Sequence, residues 1–346
     1  FTEPQYAELL VKQGRADLIA FGRQSIADPD LPNKALNGQL ETLAPCIGCL
    51  LGCVPNMFAG KPVTCAVNPC VGREAELTPA DKKKKVVVVG GGPGGLYAAW
   101  LCALRGHEVT LLEKEEELGG NFRIAAYPTG KGQLTEVIRS IIVRCRNAGV
   151  NLRCNTEADE ETLRSLSPDT IIVATGSNPL VLPIPGLSDC GYITAQQLLD
   201  GKAEAGKKVL VVGGGMVGCE AAEYLAERGH QVGIIEMKDV IAGDVTAESR
   251  KYIIKNFEEN HVQLCPGAKV GHFYTDGVDY TLADGTEGSL RGFDNVVLAM
   301  GSRANGALKE TAEKVAGQVL VIGEAAKAPG NAVVAVNDAF EAALQI

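Results

Sequence analysis

One motif, met twice at a fixed spacing, narrows the fold more than any other feature of the chain. Val86-Val-Val-Val-Gly90-Gly-Gly92-Pro-Gly-Gly95 is a β-branched run followed by a glycine-rich turn, and Lys208-Val-Leu-Val-Val-Gly213-Gly-Gly215-Met-Val-Gly218 repeats it 123 positions on. The same offset carries Gly90, Gly92 and Gly95 onto Gly213, Gly215 and Gly218, Gly106-His107 onto Gly229-His230, and Glu113 onto Glu236. A strand, a turn, a helix and an acidic strand end that recur together mark a duplicated nucleotide-binding unit. The chain is therefore expected to be α/β, with two Rossmann-like sheets.

The residue types suit dinucleotides. Glycines let the backbone approach a pyrophosphate, and the following helix presents its positive end to that charge. In each copy a carboxylate, Glu113 or Glu236, lies 18 positions past the last glycine, near the spacing at which an acidic residue meets a ribose diol. A carboxylate at Glu236 repels a 2′-phosphate, which favours NADH over NADPH. The strand Thr170-Ile-Ile-Val-Ala174-Thr175-Gly176 belongs to the first copy, and Asp294-Asn-Val-Val-Leu-Ala-Met-Gly301 is its counterpart in the second. Helices are expected over 133–148 and 247–259, and a β-meander with turns at Asp276-Gly277 and Asp284-Gly285. The first copy resumes only at Gln318-Val-Leu-Val-Ile-Gly323-Glu324, so one unit is inserted in the other.

Upstream, Cys46, Cys49, Cys53 and Cys65 form a C-x2-C-x3-C-x11-C pattern, with Pro45, Pro55, Gly60 and Pro62 marking irregular loop. Structural zinc sites usually pair two C-x2-C knuckles, which this spacing does not. Three thiols in a short loop plus one further on suit a [4Fe–4S] cluster better, with zinc as the alternative. Cys70 reads as an unligated neighbour. The other cysteines are scattered singly in a total of eleven, the usage of a reducing cytoplasm. A formal net charge of −9 gives no electrostatic footing for nucleic acid or an anionic membrane, and no apolar run reaches the ~18 residues of a membrane span. The one basic cluster, Lys82 to Lys85, reads as a solvated linker.

The first forty residues read as helix, strand and helix. Pro4 to Gly14 has helical spacing, Asp17-Leu-Ile-Ala-Phe-Gly22 has the character of a buried parallel strand, and a polar helix follows Ala27-Asp28-Pro29. One such unit cannot cover a parallel strand on both faces, so its partners are expected outside this chain. The opening at Phe1, in what reads as mid-domain, points the same way.

Residues 86–346 resemble pyridine-nucleotide flavoproteins of glutathione-reductase type. That resemblance gives FAD to the outer unit and NAD(H) to the inserted one, and puts Glu220 near the nicotinamide. Disulfide reductases of this fold carry a cysteine pair just past the first acidic strand or in the inserted domain. Here the matching stretch is Leu118-Gly119-Gly120-Asn121-Phe122-Arg123, and the inserted domain has only isolated Cys219 and Cys265. Thiol–disulfide exchange is not expected, and the cysteine cluster becomes the outlet for electrons.

Across its whole length the chain resembles the carboxyl-terminal half of the multidomain branch of the old yellow enzyme family, which includes 2,4-dienoyl-CoA reductase, 2-enoate reductase and trimethylamine dehydrogenase. The residues that carry this are Ala16-Asp-Leu-Ile-Ala-Phe-Gly22-Arg23, Ala27-Asp28-Pro29, Pro45-Cys46-Ile-Gly-Cys49, Gly52-Cys53, Cys65-Ala-Val-Asn68-Pro69 and Gly72-Arg-Glu74. The resemblance implies five segments. The last strand and helix of an FMN-binding (β/α)8 barrel (1–40) would precede an iron–sulfur segment and linker (41–80). The FAD domain would then come in two pieces, an amino-terminal one (81–190) and a carboxyl-terminal one (303–346), with an NAD(H) domain between them (191–302). The same resemblance implies FMN at Gly22 and Arg23, and FAD at Gly90, Gly92, Gly95, Glu113, Gly120, Asn121, Lys131, Ala174, Gly176, Gly323 and Glu324. NAD would lie at Gly213, Gly215, Gly218, Glu220, Glu236 and Gly301, and the cluster on Cys46, Cys49, Cys53 and Cys65. Glu324 stands where the family usually has Asp. Electrons would pass from NADH through FAD and the cluster to an FMN barrel, upstream or in another chain, that reduces an activated C=C bond of a small unsaturated substrate. The catalytic proton donor would lie in that barrel, and a homo-oligomer is compatible with the family. The rival readings are an amine dehydrogenase of trimethylamine type and a FAD/iron–sulfur subunit like that of glutamate synthase.

Overall fold

The computed structural model describes residues 1–128 and 130–346. The chain divides into two compact units, the first made of Phe1–Ala126, Lys131–Ser177 and Ala304–Ile346, the second chiefly of Asn178–Arg303. Residues 178–190 thus fall with the second unit, earlier than the expected boundary at 191. Among the described residues no helix is long and apolar enough to cross a membrane.

The first unit holds a five-stranded parallel sheet in the order Gln318–Val321, Thr170–Val173, Lys85–Val89, Glu108–Leu112, Asn151–Arg153. The run of four valines is explained by cover on both faces. Val86 and Val88 pack with Leu96, Leu101, Ile141 and Phe340 from the helices Pro93–Leu104, Gln133–Asn147 and Ala332–Leu344. Val87 and Val89 pack with Leu163 and Ala312 from Glu160–Leu166 and Leu308–Glu313. A strand buried on both sides keeps no polar alternation, and each valine removed from water contributes about 1.5–3 kcal/mol.

The second unit repeats the plan, in the order Ile193–Thr194, Asn295–Leu298, Lys208–Val212, Gln231–Ile235, Gln263–Cys265, again all parallel. Val209 and Val211 face Ala221, Leu225 and Phe257 from the helices Met216–Ala226 and Ala247–Glu259. On the other face, Leu210 and Val212 meet Phe273 and Val278 of a three-stranded antiparallel meander, Ala268–Tyr274, Gly277–Leu282 and Glu287–Leu290. The short edge strands Asn151–Arg153 and Gln263–Cys265 carry no periodic signal in three residues apiece, and sequence reasoning missed both.

The amino-terminal segment differs from expectation. Pro4–Lys12, Gly22–Ala27 and Leu31–Leu36 are helical, but Asp17 to Phe21 is not a strand, and Leu18 is 89% exposed. A parallel strand exists only through ladder hydrogen bonds to neighbours, and none pairs with this run. Within the cysteine loop, Val54–Phe58 forms a short helix where irregular chain was expected; Pro55 is tolerated there because it sits in the first turn.

A buried ion cluster fixes this segment to the sheet-bearing region of the first unit. Asp28 Oδ2 accepts from Lys34 Nζ (2.6 Å), Arg144 Nη2 (2.8 Å) and the Ala44 amide (2.9 Å). The Arg144 guanidinium also donates through Nε to the Thr42 carbonyl (2.7 Å) and lies 5.2 Å from the Trp100 ring centre. Burial, then the Arg144 charge, pulls Lys34 below the ordinary lysine range. Breaking one arm of a buried charge cluster leaves an undercompensated ion. Arg144→Met should lower stability by about 3 kcal/mol, read as a fall in the chemical-denaturation midpoint.

Candidate functional site

Each sheet ends in the same device. In the first unit the Gly90 amide donates to Leu112 O (2.8 Å) and the Ala174 amide to Val89 O (2.8 Å), so the turn grows directly out of the ladder. Gly90 has φ +110°, and a Cβ on it would lie 2.4 Å from Ala174 O. A Cβ on Gly95 would lie 1.9 Å from Gly90 O, so only glycine lets the helix start so close to the strand. Gly92 is different: a Cβ there would meet nothing nearer than Gly120 Cα at 4.0 Å, and would project into the space at the helix start. That open cradle is where a pyrophosphate can approach the backbone. Glu113 is buried, accepting from the Gly91 amide on Oε2 (2.7 Å) and the Glu115 amide on Oε1 (2.9 Å). Each oxygen keeps a second lone pair for a ribose hydroxyl.

The far side of this cradle is also built. Gly120, at φ +48°, precedes the short helix Asn121–Ala125. Asn121 Nδ2 lies 3.5 Å from Glu324 Oε2, which also accepts from Ser177 Oγ (2.9 Å), while Gly330 N donates to Glu324 Oε1 (2.9 Å). The longer carboxylate thus stays beside Asn121 and the chain following Gly176. Gly323, at φ +60°, donates its amide to Asp338 Oδ2 (2.9 Å). Lys131 lies in the turn before Gln133–Asn147.

In the second unit the strand, the close helix start and the strand-end carboxylate recur. Gly213 N donates to Ile235 O (2.9 Å), and a Cβ on Gly218 would lie 1.8 Å from Gly213 O. Buried Glu236 accepts from the Gly214 amide (2.6 Å) and the Lys238 amide (2.8 Å). Glu220 is half-buried in the second turn of Met216–Ala226, and Gly301 takes φ +104° just past Asn295–Leu298.

The four cysteines Cys46, Cys49, Cys53 and Cys65 line one cavity with Arg23, Ile26, Thr64 and Val67. All eleven cysteines are free thiols. Among the described residues no three His, Cys, Asp or Glu side chains converge as a single-ion site. Four thiols on one cavity are a donor set that zinc or an iron–sulfur cluster could use. Burial pushes the Cys49 thiol up, and that of Cys65 up to about 11, so ligation there needs a cation to displace the protons. The structure thus brings the four sequence-predicted thiols together and places exposed Arg23, with Gly22 at the start of its helix, beside them.

Two parallel-sheet units, each with a glycine-rich turn and a buried strand-end carboxylate, have the architecture of dinucleotide-binding oxidoreductases. Residues 84–338 match the pyridine nucleotide-disulphide oxidoreductase family, and the chain belongs to it. It is 40% identical over 353 residues to an NADH oxidase of Thermoanaerobacter brockii, covering 99% of this chain and 54% of the relative. A cinnamate reductase of Clostridium sporogenes is 32% identical over 304 residues, covering 86% of this chain and 45% of the relative. The solved 2-naphthoyl-CoA reductase complex superimposes with a TM-score of 0.95 at 32% identity, covering all of this chain and 53% of that one. The chain spans about half the length of the curated relatives it matches. The similarity is that of the carboxyl-terminal region of an old yellow enzyme-family enoate or enoyl-CoA reductase, joined to a pyridine-nucleotide flavin oxidoreductase family match over residues 84–338.

Several residues around the cavity had no role that the sequence pattern could assign. Gln24, 1% exposed, accepts from the Cys46 amide through Oε1 (2.8 Å) and donates through Nε2 to Ala44 O (2.9 Å). Asn68 Nδ2 donates to Ile26 O (2.8 Å), and the buried Tyr97 hydroxyl donates to Val67 O (2.8 Å). Their partners lie 20 or more positions away, beyond any periodicity. Gln24→Leu removes two buried hydrogen bonds and strands the Cys46 amide, at about 1–3 kcal/mol. Amide hydrogen exchange over residues 44–49 should quicken accordingly while exchange in Lys85–Val89 stays slow.

Proposed function

We propose that the chain is the electron-supplying portion of an NADH-dependent ene-reductase that works with FAD, a [4Fe–4S] cluster and FMN. The observation that carries this reading is the pairing of two dinucleotide cradles with a four-thiol cavity, in a chain whose Leu118–Arg123 stretch lacks the cysteines of a disulfide reductase. When bound, these groups supply acceptance of a hydride from NADH, its division into single electrons, and delivery of a hydride to an activated C=C bond. The first cradle, Gly90, Gly92, Gly95 and Gly120 with Glu113, holds the FAD pyrophosphate and ribose, and Asn121, Lys131, Ala174, Gly176, Gly323 and Glu324 line the rest. Gly213, Gly215, Gly218 and Gly301 with Glu236 hold NADH, and Glu220 faces its nicotinamide. Cys46, Cys49, Cys53 and Cys65 ligate the cluster, and Gly22 and Arg23 meet the FMN phosphate.

The names of the relatives support an unsaturated acyl substrate: one reduces cinnamate, another 2-naphthoyl-CoA. The barrel that binds it, supplied upstream or by another chain, would bring the proton donor. A cytoplasmic setting fits the free thiols. An amine dehydrogenase would have no use for the intact second cradle, with Glu236 held by two amides.

Purified anaerobically, the protein should contain iron and acid-labile sulfide, and NADH should bleach its flavin absorbance. Cys49→Ser should lose the iron signal and keep NADH-driven bleaching, separating the two centres; loss of bleaching with retained iron would refute the assignment. NADPH should be poorer than NADH by at least about tenfold in Kd, since two like charges placed together cost several kcal/mol. Equal affinity for the two nucleotides would remove the role given to Glu236.

A further inference from the structure

The duplication runs further than the glycine turn and the strand-end carboxylate. Leu118 and Gly119 lie 123 positions before Ile241 and Ala242, and the structure makes them equivalent. Gly119 N donates to Gly91 O (2.8 Å), as Ala242 N does to Gly214 O (2.7 Å). A Cβ on Gly91 would strike Leu118 Cδ2 at 2.4 Å, and one on Gly214 would strike Ile241 Cδ1 at 2.7 Å. This second loop therefore closes the same side of both cradles. Carried two positions further, the offset sets Asn121 against Asp244.

That pair differs by a charge, at the spot where charge matters. Asp244 Oδ2 accepts from the Met216 amide (3.0 Å), the first amide of the helix Met216–Ala226. The same oxygen lies 3.1 Å from a Cβ built on Gly215, so the carboxylate rests on the glycine face that a pyrophosphate would use. In the first unit the equivalent face of Gly92 meets only Gly120 Cα at 4.0 Å. One cradle is open, with an amide side chain at its rim; the other is held by an internal anion.

We propose that Asp244 occupies the second cradle as a stand-in for the dinucleotide pyrophosphate, and that nucleotide must displace it to bind. The positive end of a helix favours one anion in its first turn, and a second brought to the same amides is repelled by the first. Asp244 is solvent-exposed, so its carboxylate is rehydrated on leaving and the exchange needs no unfolding. Its effect is to weaken nucleotide binding to this unit, which keeps release of the oxidised nucleotide easy. The inference rests on the reading of the second unit as the NAD(H) site.

ADP-ribose tests it, because it carries the pyrophosphate but no nicotinamide and cannot react with flavin. Calorimetric titration of the FAD-loaded full chain should show Asp244→Asn and Asp244→Ala binding ADP-ribose at least about threefold more tightly than the wild type. Their thermal unfolding without ligand should be unchanged or slightly lower, since a cap is lost. The reciprocal change, Asn121→Asp, should speed FAD loss on dilution. If wild type binds and both Asp244 variants bind equally or more weakly, the stand-in role is wrong while the NAD(H) assignment survives. If none of the three binds ADP-ribose or NADH, both fall.

Discussion

The structure depends on how closely a helix can start beside the strand that precedes it. A Cβ on Gly95 would sit 1.9 Å from Gly90 O, and one on Gly218 1.8 Å from Gly213 O. No side chain can relax out of a clash with backbone, so these positions are fixed by contact rather than by conformational preference alone. Because the helices are seated so near, their first amides and the carboxylates of Glu113 and Glu236 enclose one small polar space at each sheet end.

The two carboxylates show how a strand end is made into a site. Each is buried, each accepts from the second residue of the glycine turn, and each accepts again from the amide two residues on. The turn and the acidic residue therefore hold each other in place before any ligand arrives. Pre-organisation of this kind lowers the ordering cost of binding.

Much of this was legible in the sequence because local chemistry repeats in it. Four consecutive valines, three spaced glycines and a glutamate 18 positions on specify strand, turn, helix and strand end together. The cysteine loop was legible as a spacing, and its four thiols do share a cavity. What was illegible depends on distant partners. Asp17 to Phe21 has the composition of a buried strand, but a strand needs a ladder and finds none. Asp28 stands out only as a member of an Ala-Asp-Pro run, although it gathers Lys34, Arg144 and the Ala44 amide on one oxygen. Asp244 is an ordinary polar loop residue until its carboxylate is seen on the Met216 amide.

Tyr97 bears on the chain in a way that neither motif reveals. It lies in the second turn of the helix that opens on Gly92, and its hydroxyl holds the carbonyl of Val67, two residues from Cys65. The helix that opens on the glycine turn and one wall of the thiol cavity are thus joined by a buried hydrogen bond. Loss of that one hydroxyl would therefore be felt at both ends, as a stranded carbonyl beside the thiols and a gap under the helix that starts at the glycine turn.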